Sequence, residues 1–313
     1  MKSLRGIISI YLFTLFVITG CGGTKSDNSV DEYPFFRENT EMQFQKIHGL
    51  GYVLNQNELY FGTDHGLVKY VDNKWYSTTK NNHDYIGFQA AAAGFYASGH
   101  PEPGTQWKNP LGIIKSIDKG KSFQKLAFYG ESNFEYLAAG YLSDILYVVN
   151  ENSNSKLDFG IYYSIDQGES WKESKLDGFH ANSINMIAAH PKRLNTVGIS
   201  TDKGLYLSLN NGDHFDKVTE EINVSAVQFE EHSLLYFSIG EETANLFRMD
   251  LFSHKKTEIE LPASVSIHNP VTLVASNPKN REEITVVTSK NDIYQTHTHG
   301  IKWKTLAKNG ENQ

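Results

Sequence analysis

The sequence predicts an all-β fold, a six-bladed β-propeller of four-stranded blades, and three observations carry this prediction. A short motif occurs as "SIDKGKSF" at 116–123, "SIDQGESW" at 164–171, "SLNNGDHF" at 208–215 and a degenerate "THTHGIKW" at 296–303. The copies begin 48, 44 and 88 residues apart, a period typical of propeller blades with one copy missing. The 17 tyrosines, 18 phenylalanines and 25 glycines, without long helical periodicity, favour strands.

The propeller is predicted over 41–310, and each blade can be placed by its inner strand. These strands are expected to begin near His48, His83, Asn133, Ile184, Ser225 and Val271. The blade that lacks the motif should turn near residue 252, inside the hairpin-like run "FRMDLFSHKKTEIEL". The first blade carries a shortened copy, "VKYVDNKWYST". Six blades result.

The amino terminus predicts export and lipidation. Residues 1–20 hold Lys2, Arg5 and an apolar stretch of signal-peptide length that ends in "ITGC". Small residues before Cys21 indicate a bacterial lipoprotein signal peptide with a lipid anchor on Cys21; an ordinary secretory signal is the alternative. Residues 21–40, polar and rich in small side chains, are expected to form a flexible tether and a lead-in segment. The predicted location is the extracytoplasmic face of the cell membrane.

Charge and cysteine content exclude several classes of partner. Removal of residues 1–20, with Lys2 and Arg5, takes the formal net charge from −7 to −9. An acidic chain is not expected to bind nucleic acid or to be drawn by charge to an anionic bilayer, so membrane attachment rests on the lipid. Cys21 is the only cysteine, which excludes an internal disulfide. No motif calls for a cofactor.

The repeated motif is interpreted as a hairpin fastening rather than a chemical site. Its Asp can accept backbone N–H bonds within the turn, its Gly can take positive φ, and its aromatic residue can cover a neighbouring blade. Calcium or ligand binding is the less favoured alternative. The residues assigned this structural role are Ser116, Asp118, Gly120, Ser164, Asp166, Gly168, Trp171 and Gly212.

The motif resembles the Asp-box, or bacterial-neuraminidase repeat, of sialidases, the sortilin ectodomain and photosystem II assembly propellers. Runs such as "LYFGTDHGLVKY", "SGHPEPG" and "AAHPKRLNTVGISTDKGLYLS" extend the resemblance, over about 45–308, to exported Bacillus-type propellers commonly named glycosylhydrolase or sortilin-like. The resemblance implies a β-propeller lipoprotein. A repeat that builds a turn does not by itself imply hydrolysis.

Hydrolysis is therefore the alternative function, not the first. A sialidase clamps a carboxylate with three arginines, whereas the mature chain has only Arg37, Arg193, Arg248 and Arg281, which the blade pattern scatters. We expect a binding or assembly module for a glycan or peptide. The alternative is a glycoside hydrolase that uses Asp84 and Glu102, assisted by His83 or His100. A purely structural envelope protein is the third hypothesis.

The candidate site lies where inner strands begin and where second and third strands are joined, because these segments meet around one end of the channel. Histidine and carboxylate side chains collect there in blades 1 and 2, and the proline-rich loop "SGHPEPGTQWKNP" adds an aromatic side chain. Backbone-bonded histidines lining a wet channel are the plain alternative, and no zinc spacing is present. Trp107 could equally pack against its own blade. The predicted ligand-binding residues are His48, Asp64, His65, His83, Asp84, Tyr85, His100, Glu102 and Trp107.

Overall fold

The computed structural model describes residues 34–313, which form six antiparallel sheets arranged as blades of a β-propeller. The predicted fold class is confirmed. The predicted signal peptide, Cys21 and most of the predicted tether lie outside the described residues. A 3₁₀ turn, Val53–Asn55, is the one helical segment between residues 34 and 313. Within that range no helix has the length and apolar character needed to cross a bilayer.

The first three blades contain thirteen strands. Blade 1 consists of β1 (Phe36–Glu38), β2 (Ile47–Tyr52), β3 (Leu59–Thr63), β4 (Gly66–Val71) and β5 (Lys74–Thr78). Blade 2 consists of β6 (Gln89–Ala91), β7 (Gly94–Ala97), β8 (Ile113–Ser116) and β9 (Gln124–Ala127). Blade 3 consists of β10 (Leu137–Ala139), β11 (Leu146–Asn150), β12 (Gly160–Ser164) and β13 (Lys172–Glu173).

The last three blades contain the other thirteen. Blade 4 consists of β14 (Ile184–Ala189), β15 (Val197–Thr201), β16 (Gly204–Ser208) and β17 (Asp216–Lys217). Blade 5 consists of β18 (Asn223–Phe229), β19 (Ser233–Ile239), β20 (Ala244–Asp250) and β21 (Lys256–Ile259). Blade 6 consists of β22 (Val271–Asn277), β23 (Asn280–Thr288), β24 (Ile293–Thr296), β25 (Trp303–Lys308) and β26 (Glu311–Asn312).

Two blades have a fifth strand, in addition to the predicted four. In blade 1, β1 pairs with β5 on the outer edge, and its residues Phe36–Glu38 come from the predicted lead-in segment. In blade 6, β26 pairs with β25. The blade without the motif turns between β20 and β21, around residue 252 as predicted.

The meander of each blade gives the propeller two distinct faces. The start face carries the beginnings of the inner strands, the loops between second and third strands, and the connections between blades. The turn face carries the loops between inner and second strands and the turns between third and outer strands, which include all four motif copies. The predicted site residues lie on the start face.

Blade 2 begins later than predicted. Its inner strand starts at Gln89 rather than near His83. Residues 79–88 instead form a connection in which Asp84 makes a two-way backbone bridge with His100, at 2.9 and 3.0 Å. His83 and Asp84 are therefore held by the long loop of their own blade and not by a strand.

The hydrophobic core consists of six clusters, one between each pair of neighbouring blades. Between blades 6 and 1, for example, Phe61 and Trp75 pack with Leu273 and Val287. The second and third strands of the blades therefore bury both faces against adjacent blades, and strands such as β3, β11 and β16 are buried along their whole length, whereas outer strands such as β13 and β17 are exposed.

The four motif copies fold into the same turn. In the copy at 164–171, the Ser164 hydroxyl accepts the Gly168 N–H at 2.7 Å, and Asp166 accepts the Ser170 N–H at 2.9 Å. Gly168 has φ +92°, and the Trp171 ring packs on Phe128 of blade 2 with centroids 5.6 Å apart. The hydrogen bonds of Asp166, with that of the Ser170 hydroxyl foremost, lower its pKa to about 2.

The other three copies retain both acceptors. At 116–123 they are again Ser and Asp: Ser116 accepts the Gly120 N–H, and Asp118 accepts the Ser122 N–H. At 208–215, Ser208 accepts the Gly212 N–H and Asn210 replaces the aspartate. At 296–303, hydroxyls of Thr296 and Thr298 take both positions. The turn requires two hydrogen-bond acceptors and not a carboxylate.

The ring is closed by the two ends of the described chain. Phe44 donates its N–H to the Gly310 carbonyl at 2.8 Å, and Gln43 forms a bridge with Glu311. The Met42 N–H also reaches the Asn312 side chain at 2.9 Å. Blade 6 is thus joined to blade 1 by these hydrogen bonds as well as by the hydrophobic cluster between the two blades.

Candidate functional site

The nine predicted site residues separate into two groups on the start face. The mouth group consists of His48, which lines the start-face end of the central cavity, Asp84, which contacts His48, and His100, which bridges to Asp84; Asp64 and His65 lie in the adjacent turn of blade 1. His83, Tyr85, Glu102 and Trp107 belong to a packed block within blade 2. The sequence places all nine near one another, but it does not distinguish these groups.

The packed block is built around His83, which is fully buried. Its ring lies 5.2 Å from the ring of Trp107 and 5.5 Å from that of Phe123, centroid to centroid. His83 Nδ1 accepts the Glu102 N–H at 2.9 Å, so the neutral ring carries its proton on Nε2. Burial lowers the pKa of His83 to about 4. This histidine holds the long loop in place as a neutral acceptor.

The other members of the block are also occupied. Glu102 accepts hydrogen bonds from Asn82 on both carboxylate oxygens, at 3.0 and 3.4 Å. The Tyr85 hydroxyl donates to the Asn81 carbonyl at 2.7 Å. Trp107 lies under the Lys125 ammonium group, 4.6 Å from its ring centroid. These contacts stiffen the loop, and they leave Trp107 partly covered.

The mouth group joins blades 1 and 2. His48 Nε2 lies 3.0 Å from Asp84 Oδ1, and the His48 side chain is only 6% exposed. Apart from this contact with His48, Asp84 Oδ1 is a buried atom without a hydrogen-bond partner among residues 34–313. His100 Nδ1 contacts Asn109 Oδ1 at 2.7 Å. His65, by contrast, is 72% exposed and 3.8 Å from Asp64.

His48 has structural counterparts around the channel that the sequence alone did not reveal. Four inner strands carry a β-bulge at their second or third residue, and a bulge turns the extra side chain out of the regular alternation. The bulged residues are His48, Asn185, Ser225 and Thr272. Asn185 donates to the Val224 carbonyl at 2.9 Å, and Ser225 donates to the Val271 carbonyl at 2.6 Å. His48, Asn185 and Ser225 thus each contact the next blade, whereas Thr272 bonds to Val287 of its own blade.

A cavity of about 200 Å³ occupies the central channel and is lined by the inner strands of all six blades. Leu50, Met186 and Leu273 give it apolar walls, while Gln89 and Gln228 add amide groups. His48 lies at its start-face end, and Tyr141, Glu231 and Arg281 lie toward the turn face. Apart from His48, the sequence analysis did not select these residues, because inner-strand side chains alternate in the same way whether they line a cavity or fill a core.

The turn-face end of the cavity contains an ion cluster that the sequence analysis missed. Glu230, 6% exposed, accepts from Arg248 at 2.9 and 3.0 Å and from Arg281 at 2.7 and 3.2 Å. The hydroxyls of Ser233 and Ser276 also donate to it. Burial alone would raise the pKa of Glu230, but the bonds from both arginines hold it below its usual value. Two arginines that the sequence scatters are therefore combined into one cross-blade clamp.

Geometry for metal binding is not present in the part of the chain that the structure describes: residues 34–313 contain no group of three or more His, Cys, Asp or Glu arranged to hold an ion. Among the predicted residues, Asp84 is joined to His100 by a backbone bridge and to His48 by a contact with its ring.

No protein-family model and no curated protein matches the sequence. Among solved structures, a GH74 enzyme from Niastella koreensis is 16% identical with a TM-score of 0.57, over 87% of this chain and 47% of that one. The GH74 xyloglucanase from Xanthomonas campestris is 17% identical with a TM-score of 0.54, over 87% and 46%. The extracellular domain of a protein assigned as a one-component system of B. thetaiotaomicron is 13% identical with a TM-score of 0.53, over 88% and 35%.

The likeness is one of fold. The chain spans less than half the length of each of these three structures. At such identities the comparison supports the β-propeller architecture, while activity has to be argued from this chain's own residues.

Proposed function

We propose that this chain is an exported, lipid-anchored binding module that holds a glycan in the central cavity of its propeller. The observation that carries the proposal is the cavity itself, enclosed by six inner strands with apolar walls and amide groups. Pockets of mixed lining with a few hydrogen-bonding groups are typical of ligand sites. Its volume of about 200 Å³ suits one sugar ring or a chain end rather than a long oligosaccharide. The module would sit on the extracytoplasmic face of the membrane.

The Asp-box assignment of the repeats belongs to the same proposal. It is supported by the shared turn, in which one hydroxyl and one further acceptor fasten the third and outer strands. In this interpretation the repeats supply architecture, and recognition falls to the channel. The repeats lie in the turns between third and outer strands, whereas the cavity is lined by the inner strands.

The hydrolase alternative has weaker support. A glycosidase needs two carboxyl groups that flank the bond, with one free to donate a proton. Both oxygens of Glu102 accept hydrogen bonds from Asn82, which ties this carboxylate to its own loop. Asp84 contacts His48 but does not line the central cavity, and among residues 34–313 no second carboxylate of the predicted site is paired with it. Binding is therefore the better supported function.

The binding proposal predicts a specific loss from Gln89→Ala. Gln89 lines the cavity, so removal of its amide should weaken glycan binding about 5- to 30-fold, as expected for one lost hydrogen bond. The melting temperature should stay nearly unchanged, because the side chain is not part of an interblade cluster. Binding would be measured by calorimetry and glycan array, with xyloglucan oligosaccharides as the first probe because the similar X. campestris enzyme is a xyloglucanase.

The matched control is Gln124→Ala on the exposed outer strand β9, which should leave binding unchanged. Equal losses from both substitutions, or no glycan binding at all, would contradict the proposal. Chromogenic glycosides test turnover in the same preparation. Turnover that Asp84→Asn abolishes while binding persists would replace the module with an enzyme.

The anchor is tested by Cys21→Ala. If Cys21 carries the lipid, the substituted protein should move from the detergent phase to the aqueous phase, or accumulate as uncleaved precursor. The reason is that no helix among residues 34–313 could hold the protein in a bilayer. Unchanged partitioning into detergent by a protein whose mass shows that residues 1–20 have been removed would contradict the lipoprotein assignment.

A further inference from the structure

A second polar cavity lies on the turn face, in the groove between blades 6 and 1. Its volume is about 420 Å³, and it extends from the turn between β22 and β23 to the turn between β4 and β5. No predicted site residue lines it. Amide side chains are prominent in its lining, and each offers both a hydrogen-bond donor and an acceptor. They belong to Asn57, Asn73, Asn277, Asn280 and Gln295.

The deepest part of this groove is a hydrogen-bond network around Glu283. Its carboxylate accepts from the Tyr52 hydroxyl at 2.6 Å, from the Asn277 amide at 3.1 Å and from the Gln295 amide at 3.3 Å. The Glu283 side chain is 12% exposed, and the three donor residues are buried. Because these groups are already held by one another, a ligand would not have to order them on binding.

Several other groups that line the groove remain unused. Gln295 is engaged through its amide nitrogen, and its carbonyl oxygen accepts no hydrogen bond from residues 34–313. Asn73 and Asn280 are engaged through their side-chain oxygens, so both NH₂ groups are available. The side chains of Asn57 and Asp72 make no hydrogen bond within the described part of the chain. The groove therefore offers free donors and free acceptors together.

The charges at the groove balance one another. Asp72 and Glu283 supply two carboxylates, and His297 Nδ1 lies 3.4 Å from the second of them. Lys279 lines the groove, and the Lys304 ammonium group donates to the asparagine side chain of the β4–β5 turn at 2.7 Å. An anion or a cation would meet a like charge as well as an opposite one. The groove thus suits an uncharged ligand whose groups both donate and accept, as the hydroxyls of a sugar do.

The groove adjoins the central cavity. Asn277 lines both of them. Tyr52 lines the cavity, while its hydroxyl bonds to Glu283 of the groove. The turn between β22 and β23 separates the two, since Pro278 lines the cavity and Lys279 lines the groove. A ligand whose end lies in the cavity would reach the groove as soon as it crossed this turn.

We infer that the groove is a second subsite for the glycan held in the central cavity, and that it binds the sugar residues next to the one inside the cavity. This rests on the proposed function and specifies its ligand as an oligosaccharide. The cavity has room for a single sugar ring, so contacts with further rings fall to the groove on the other side of the 277–280 turn.

The test compares a xyloglucan heptasaccharide with D-glucose as probes of the full chain in detergent. Calorimetry gives the dissociation constant of the heptasaccharide, and saturation-transfer NMR that of the weaker sugar. Asn57→Ala combined with Lys279→Ala removes two exposed groove side chains that make no hydrogen bond among residues 34–313. The matched control is Asn152→Ala combined with Lys156→Ala, two exposed residues of the β11–β12 loop on the start face.

We expect the heptasaccharide to bind about 10-fold more tightly than glucose, or better. The groove variant should weaken heptasaccharide binding about 5- to 50-fold, as two lost hydrogen bonds would, and leave glucose binding unchanged. The control variant should change neither, whereas Gln89→Ala in the cavity should weaken both. The melting temperature of the groove variant should equal that of wild type, because neither side chain contributes to the core.

An effect of the groove variant no larger than that of the control overturns the inference. So does an equal loss for glucose and the heptasaccharide. In both cases, binding that remains sensitive to Gln89→Ala leaves the proposed function standing. Binding of neither probe also overturns the inference, and the glycan array then tests the proposed function separately.

Discussion

Glu230→Ala is expected to lower the free energy of unfolding by about 2 to 4 kcal/mol, because it leaves two guanidinium groups and two hydroxyls without their shared acceptor. The figure is below that for a wholly buried ion pair, since the Arg281 side chain is 48% exposed and water can solvate it. The clamp connects blade 5, which supplies Glu230 and Arg248, to Arg281 of blade 6. Chemical denaturation measures the change.

Glu231→Ala is the matched control. Glu231 follows Glu230 in the chain, is half-exposed and pairs with exposed Lys192 at 2.6 Å. Its removal should leave the melting temperature nearly unchanged. Equal destabilisation by the two substitutions would show that the loop, and not the clamp, carries the stability.

The clamp also has a defined pH dependence. Its partners keep the pKa of Glu230 below the usual 4.5, so the stabilisation is fully present above that value and is lost as pH falls through the lowered pKa. The stability difference between wild type and Glu230→Gln should therefore shrink below about pH 4.5. A difference that stays constant to lower pH would contradict a charge-based role.

Gly99→Ala is expected to cost about 3 kcal/mol or more and to disturb the candidate site. Gly99 has φ +134°, and an added Cβ would lie 1.9 Å from the Asp84 carbonyl oxygen. The Asp84–His100 bridge and the long loop would both have to shift. Thermal denaturation measures the stability, and glycan titration measures the site.

Gly104→Ala separates backbone strain from this clash. Gly104 lies in the same loop at φ +82°, and no atom lies within 4 Å of its added Cβ. We expect a loss of about 1 kcal/mol from the left-handed conformation alone. Comparable losses at the two positions would mean that the close approach of Gly99 to Asp84 is unimportant.

The architecture was predictable because the spacing of the motif copies gives the length of one blade. Spacing between motif copies gave six blades and placed the turn of the blade without a motif, around Phe252. The start of blade 2 was misplaced by six residues, at His83 instead of Gln89. The reason is physical: "HDYIGF" alternates like a strand, but Asp84 pairs with His100 across a loop, and such pairing has no local signature.

The candidate site was predictable only in part. His48 lies beside Asp84, but Asp84 belongs to the connection before β6 and not to the end of an inner strand. Topology could not show that His83 and Trp107 pack on each other, because burial depends on loop geometry. The sequence analysis could not identify the clamp because its members are far apart in the chain. Glu230 is separated from Arg248 by 18 residues and from Arg281 by 51 residues.

Closure of the ring has a kinetic consequence. The Met42–Asn312 contact joins residues 270 positions apart, so bringing the two ends together carries one of the largest loop-closure entropies in the chain. Contacts within a blade form between near neighbours and can precede it. The blades are therefore expected to assemble first as an open arc, whose terminal blades expose the apolar surfaces that later meet around Phe61 and Leu273. Until the last strand docks, the chain is most vulnerable to aggregation at that one seam.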